Sequence, residues 1–376
     1  MGSANGSGNL GDEAMFEAIT GYFNLKLPLC KVTTDVTRQP FDSIYPNVDR
    51  QIPMYGSINN YRGYIKLLEY FGIFLFGIPF FKLWKRLFPK TELSRYYAEF
   101  KESDLVVFSG AGAINSRFRS YGIFGWGTLV HLAKSMDKKV YFSGHGIGPF
   151  HSKIDHFCAV TFLKRADFVK CRDQISYELL KENGVKNCDW GLDDAYFVEI
   201  LQDSELQEVL SRNSISEKFV VLSFHAWNKT FDSSAFDVFV EQIWKLDAGL
   251  DIVLLGNKIK PTMNDIPVLE DFKAKYATNP RIKVLAPPYT PQVSKSIISK
   301  SKLLITTRYH PAIFSGEKDI PCIAVHFDLY YHQKFQGAFH HRNKESVLHL
   351  SYQDLQKSRD LSVESLGFLR SKILND

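Results

Sequence analysis

An α/β fold in two parallel-sheet halves is what this sequence predicts, and three observations predict it. Short apolar runs alternate with helical patterns from end to end. Nearly every run finishes at its carboxyl end in a glycine-rich or charged loop. The chain has 376 residues, room for two domains of ordinary size, and a polar stretch from Asp203 to Glu217 separates two series of such runs. Two halves of comparable size imply a cleft between them, with loops of both facing it.

The chain opens with Gly6-Ser7-Gly8-Asn9-Leu10-Gly11-Asp12-Glu13, after which Met15, Phe16, Ile19, Tyr22 and Phe23 recur at helical spacing. Asn9 or Asp12 would cap that helix. A glycine-rich loop feeding a helix N-terminus offers backbone N–H groups to an anion or a sugar hydroxyl, which makes Gly8 and Asn9 candidate donor-binding residues. It is not a Walker loop, since no Gly-Lys-Ser/Thr comes after it, and Gly6, Gly8 and Gly11 match a dinucleotide spacing only loosely.

From Tyr61 to Phe88 the chain is aromatic and apolar, with Lys82, Trp84, Lys85 and Arg86 at one edge. The uninterrupted run is too short to span a bilayer and contains Pro79. Two readings stand: an interfacial helix in peripheral contact with a cytoplasmic leaflet through its Phe74–Phe81 face, or a helix buried between domains or in an oligomer contact.

The first half continues with three strands. Leu105–Ser109 ends in Gly110-Ala111-Gly112-Ala113, Lys139–Ser143 in Gly144-His145-Gly146-Ile147-Gly148-Pro149, and Ala166–Lys170 in Cys171-Arg172-Asp173 ahead of a helix Gln174–Asn183. The second half places strands at Phe219–Phe224, Asp251–Gly256, Arg281–Leu285, Lys302–Thr307 and Pro321–His326. The expected division is 1–202 with the aromatic insert 61–88, then 203–352, then a helical segment 353–376 that packs back across the halves. His145, between two glycines, is a candidate acceptor contact, as are His225 and Trp227 beyond Phe224; Lys334 is a candidate phosphate ligand.

The most informative stretch is Leu303–Ala312, an apolar strand that runs straight into Thr307-Arg308-Tyr309-His310. On an extended backbone Arg308 and His310 leave on the same face. An arginine to hold an anion beside a histidine to move a proton is the minimum for acid-catalysed chemistry on an anionic donor.

Composition narrows the partners. A net charge of +5 suits an anionic small substrate or a membrane surface and is too small to argue for nucleic acid. The five cysteines are scattered without a CxxC or metal-ligand spacing, so free thiols in a reducing, cytoplasmic setting are expected, and no metal.

Taken in order, these motifs resemble the polysaccharide pyruvyl transferases. The family's GxxNxGDE-like loop reads here Gly6 to Glu13; a glycine-rich strand end reads Ser143 to Pro149; an Arg-Asp turn reads Arg172-Asp173; an acidic strand end reads Asp193-Asp194. The late Arg-x-His is Arg308-Tyr309-His310, with Ser315-Gly316 and Pro321 after it. The family also carries an apolar strand ahead of its glycine loop, which Met1-Gly2-Ser3 does not supply.

The resemblance implies two Rossmann-like domains facing a cleft, in the manner of the glycosyltransferase-B enzymes. It implies phosphoenolpyruvate as donor, a saccharide or lipid-linked glycan as acceptor, and no cofactor. It implies Arg308 as donor anchor, His310 as general acid and Arg172 as holder of a donor anion, with Asp12, Glu13, Asp193 and Asp194 as candidates for the base and Asp12 preferred. The chief alternative is a nucleotide-sugar glycosyltransferase of the same architecture. That reading wants an acidic ribose contact near the Arg308 strand, where only Glu317 is close.

Overall fold

The computed structural model describes residues 6–36, 47–55, 63–226, 228, 231–259 and 264–374. The chain divides into two compact units, Met1–Ser7 with Met15–Asp194, and Gly8–Ala14 with Ala195–Asp376.

The first unit takes most of helix α1 (Leu10–Lys26) and continues with a small parallel pair, β1 (Thr33–Val36) and β2 (Arg50–Pro53). After α2 (Gly63–Leu87) and α3 (Leu93–Glu102) it alternates strictly: β3 (Leu105–Phe108), α4 (Trp126–Lys134), β4 (Lys139–His145), α5 (Lys153–Arg165), β5 (Phe168–Cys171), α6 (Gln174–Glu182), β6 (Cys188–Trp190). The four strands form one parallel sheet in the order β3-β4-β5-β6. Its core is aromatic: Phe108 stacks on Phe142 with centroids 4.5 Å apart, and Trp126 and Phe162 close over them.

Helix α2 differs from the sequence expectation, since it runs 25 residues through Pro79. Gly77, at φ 54, takes a left-handed conformation and kinks the helix, so Pro79 falls in the first turn of the second segment, where its missing N–H costs no intrahelical bond. A methyl on Gly72 would overlap the Phe80 ring, which settles on that bare backbone. Among the described residues this helix, from Ile65 to Leu87, is long and apolar enough to cross a membrane by length and composition, and only 28% of its most apolar window is buried.

The second unit contains α7 (Asp203–Arg212), β7 (Phe219–Ser223), α8 (Asp237–Leu246), β8 (Asp251–Leu254), α9 (Ile266–Ala274), β9 (Ile282–Val284), α10 (Pro291–Lys300), β10 (Leu304–Thr306), α11 (Tyr309–Phe314), β11 (Cys322–His326), α12 (Leu329–Phe339), β12 (Val347–Ser351), α13 (Tyr352–Ser358) and α14 (Val363–Leu374). The polar stretch after residue 202 is thus mostly a helix, which buries Leu206 and Leu210 four residues apart. The six strands are parallel in the order β12-β11-β10-β7-β8-β9. Strand β7 is central and wholly buried, which explains its unbroken apolar run. Tyr352, Leu355, Leu361, Leu369 and Ile373 from the C-terminal segment enter this unit's own core.

That strand order fixes where a ligand site forms. Winding proceeds from β7 toward β9 on one side and from β10 toward β12 on the other, so direction reverses between β7 and β10. Loops leaving the carboxyl ends of two strands at such a reversal diverge and leave a crevice.

Candidate functional site

The crevice lies between the loops after β7 and β10. The Thr306 hydroxyl donates to the Ser223 carbonyl at 2.9 Å and accepts the Arg308 backbone N–H at 2.9 Å, tying the two strand ends together. Beyond them His225 Nδ1 meets Thr307 Oγ1 at 2.9 Å. Every partner here comes from two adjacent parallel strands ending in register.

Arg308 is the extended residue ahead of α11, and its guanidinium lies side-on against Asp265: Nε donates to Oδ2 at 3.1 Å and Nη2 to Oδ1. Asp265 is itself held by the backbone N–H groups of Asn257 at 3.0 Å and Lys258 at 2.9 Å, in the loop after β8. A side-on pair spends Nε and one Nη2 hydrogen, which leaves the Nη1 edge of a planar five-donor group for an anion. The carboxylate therefore aims Arg308 while leaving it cationic on the far edge.

His310 does not share a face with Arg308 in the way extended backbone requires, because α11 begins at Tyr309 and turns the histidine away. Its imidazole lies instead on the backbone of Gly11: a methyl carbon there would stand 1.8 Å from Nδ1. The glycine loop is anchored for this purpose. Leu10 N donates to the Asn257 carbonyl at 2.9 Å, Ile259 N to the Gly8 carbonyl at 3.0 Å, and Asn257 Nδ2 to Asn9 Oδ1 at 2.8 Å. Asn9 is the cap of α1, its Oδ1 also accepting Gly11 N at 3.3 Å, whereas Asp12 sits inside the first turn and accepts from Asn9 Nδ2 at 2.8 Å. Gly8, at φ 76, adopts a backbone that side chains disfavour, and its N–H donates to Glu13.

Lys334, from α12, stands over the rings of Tyr309, Tyr330 and Tyr331 at 5.0, 5.2 and 5.7 Å. Such a cage holds an ammonium in place without cancelling its charge. His225, buried against Phe327, has its pKa driven well below the ordinary value, by burial first and then by the charges of Arg308 and Lys334. Burial is what keeps this imidazole neutral, and the two cations act in the same direction. The second unit thus gathers Gly8, Asn9, Asp12, His225, Arg308, His310 and Lys334 at one end of its sheet, while Trp227 lies outside the described residues.

The first unit carries the other two candidates. Arg172, at the end of β5, is buried and donates from Nη1 to Asp193 Oδ2 at 3.2 Å. Its guanidinium covers the backbone of the loops after β3 and β4, where methyl groups on Gly112 and Gly146 would come within 2.7 and 2.8 Å of it. Asp193 is thereby committed to an ion pair, and Asp194 bonds Lys170 at 3.3 Å. His145 has no exposed surface; Nε2 contacts the Phe108 carbonyl at 3.1 Å and the ring packs edge-on to Trp126 and Phe142. It is a core histidine, and complete burial removes it as an acceptor contact.

Burial pushes the pKa of His145 down to about 3, and that of His131, packed beside Arg165, also to about 3. An unfolded histidine titrates near 6.5, so between pH 6.5 and 3 the unfolded chain binds protons that the native core refuses, and stability falls as pH falls. The slope each contributes is about 1.4 kcal/mol per pH unit. Denaturant unfolding at stepped pH should show His145→Phe with a shallower slope than the parent below pH 6.5. Parallel slopes would contradict a neutral buried His145.

Asp265 and Asn257 carry no signal in the sequence, since neither belongs to a recognisable motif. Asn257 does come directly after the expected strand end at Gly256, the one hint available. Among the described residues no three His, Cys, Asp or Glu side chains group to hold a metal ion.

Two parallel α/β units, the second with a strand-order reversal between β7 and β10, define a glycosyltransferase-B-like fold. UDP-GlcNAc 2-epimerase from Neisseria meningitidis, in a structure bound to UDP-GlcNAc, aligns with a TM-score of 0.59 at 11% identity, over 97% of this chain and 92% of that one. UDP-GlcNAc 2-epimerase from Methanocaldococcus jannaschii aligns at 0.53 and 13% identity, over 75% of each chain. Identities this low speak to fold alone. No protein of curated function matches the chain. The family model for polysaccharide pyruvyl transferase matches residues 9–326, and the chain belongs to that family of transferases.

Proposed function

We propose that the protein transfers the pyruvyl group of phosphoenolpyruvate to two hydroxyls of one sugar residue, in a polysaccharide or lipid-linked glycan, as a cyclic ketal with release of phosphate. The observation that supports this reading is His310 resting on the Gly11 backbone, two residues beyond an Arg308 aimed by Asp265, with Lys334 held over the intervening Tyr309 ring. The donor has two anionic groups, which suits one planar bidentate cation and one point charge.

His310 gives a proton to the methylene carbon of the donor, and the adjacent carbon becomes electrophilic. A sugar hydroxyl adds there and yields its proton to Asp12. The neighbouring hydroxyl then attacks the same carbon, the carbon–oxygen bond to phosphate breaks, and phosphate leaves. One proton enters at carbon and two leave the hydroxyls, the second going out with phosphate. Acid–base chemistry of this kind calls for no cofactor. His225, buried and neutral, lies beside the pocket as a contact for the acceptor rather than as an acid.

A nucleotide-sugar reading finds less support in the side chains. Glu317, the acidic residue nearest Arg308 along the chain, is paired with the buried Lys295, whose Nζ also donates to the Tyr196 carbonyl at 2.7 Å, and Asp265 is occupied by Arg308 itself. Ligand-dependent thermal stabilisation tests the choice. Phosphoenolpyruvate at a hundred times its dissociation constant should add about 2.7 kcal/mol, and Arg308→Ala should lose that shift. A shift with UDP-sugars alone would replace this reading by the glycosyltransferase one.

A further inference from the structure

The sequence left the Phe74–Phe81 face either at a membrane or buried, and the structure divides it, with Leu75 and Phe76 exposed and Phe81 buried. Tyr70, Ile73 and Phe81 are buried, Phe81 stacking on Tyr97 at 4.5 Å and the Tyr70 hydroxyl donating to the Cys158 carbonyl at 2.7 Å. Phe71, Phe74, Phe80 and Trp84 pack partly against the same core. The outward side carries Leu75 and Phe76 of that span together with Leu68, Leu83, Leu87 and Phe88, each 48 to 63% exposed. Leu68 and Leu75 lie seven residues apart before the Gly77 kink, and Leu83 and Leu87 four apart after it, so each segment of the helix presents an exposed apolar stripe.

Charge decides what covers this outward side. Between Gly63 and Lys90 the sole acid is Glu69, and it is buried, bonded to the Tyr55 hydroxyl at 2.5 Å and Trp84 Nε1 at 2.8 Å. Lys66 is buried as well. Lys82, Lys85, Arg86 and Lys90 are exposed, so every exposed charge from Gly63 to Lys90 is positive. A second copy meeting it about a two-fold axis would set these cations against themselves. The buried face, with Glu69 bonded into protein and Lys66 packed over the Tyr55 ring at 4.1 Å, excludes a helix surrounded by lipid.

We propose that α2 lies in the plane of an anionic bilayer, with the exposed Leu75, Phe76, Leu83 and Leu87 among the acyl chains and Lys82, Lys85, Arg86 and Lys90 at the headgroups. The proposal is independent of the ketal chemistry. The full chain is centrifuged with phosphatidylcholine vesicles and with vesicles that also contain phosphatidylglycerol. Co-sedimentation with the anionic vesicles, weakening as salt rises, is expected, with a loss of about tenfold or more in partitioning for both Phe76→Glu/Leu83→Glu and Lys82→Glu/Arg86→Glu. All four side chains are solvent-exposed, and unchanged circular dichroism and thermal midpoint would show the variants folded. Failure to bind anionic vesicles, equal binding to neutral ones, or binding that survives Phe76→Glu/Leu83→Glu would overturn the proposal. So would a vesicle-free dimer that Leu83→Glu converts to monomer, since the outward side would then belong to a second copy.

Discussion

His310→Ala should lower turnover by about two to four orders of magnitude while leaving phosphoenolpyruvate binding close to that of the parent, because a general acid acts in the transition state and the proposed donor contacts are Arg308 and Lys334. The measurement pairs steady-state phosphate release with donor affinity from thermal shift. Retained turnover would remove His310 as the acid. Lost affinity together with lost turnover would make it a binding residue. The two results separate cleanly because His310 rests on Gly11, while the Arg308 guanidinium is aimed independently by Asp265.

Gly11→Ala has an expected sign opposite to its local propensity. Gly11 lies within α1, and alanine in a helix is favoured over glycine by about 1 kcal/mol. The added methyl would fall 1.8 Å from His310 Nδ1, so the imidazole or the loop must yield by more than an ångström. A displacement of that size at a reacting group costs on the order of a hundredfold in rate. We expect Gly11→Ala to lose activity by about that factor and to be no more stable than the parent. In the Gly11→Ala/His310→Ala double variant the clash is gone, so the helix gain should reappear as a raised thermal midpoint without any return of activity. A single Gly11→Ala variant that is both stabilised and active would show that the imidazole has somewhere else to go.

The strand ends were legible in the sequence because parallel strands buried on both faces are continuous apolar runs, and each run gives way to a loop. Arg308, His310 and the glycine loop were found in that way. The relation between them was not, since period-two reasoning failed where the backbone passes into α11 at Tyr309. Asp265 stays invisible in sequence because its role depends on the loop after β8 closing on the strand β10 end. The short strands β1, β2 and β12 were missed for a plainer reason. Thr33-Thr34-Asp35 and Arg50-Gln51-Ile52-Pro53 show no apolar run, and β12 is an edge strand with all five residues half-buried. In α2 the apolar composition was legible and the division between core and outer side was not: a helix with apolar residues on every side does not announce which of them its core takes until Gly77 has set the kink.

The bond between Asn257 and Asn9 spans 248 residues, which bears on how the protein is made. At ~5–20 residues per second, residues 8–14 leave the ribosome roughly 10–50 s before the strands that receive them. During that interval the helix that begins at Leu10 has its cap but not the Asn257 carbonyl or the His310 ring that later fix it. The waiting segment Gly6-Ser7-Gly8-Asn9 is small and polar, unable to aggregate or to commit early to a wrong core. Synthesis therefore fixes the glycine loop late, and a nascent chain halted short of Asn257 lacks the partner that holds Asn9 and Leu10 in place.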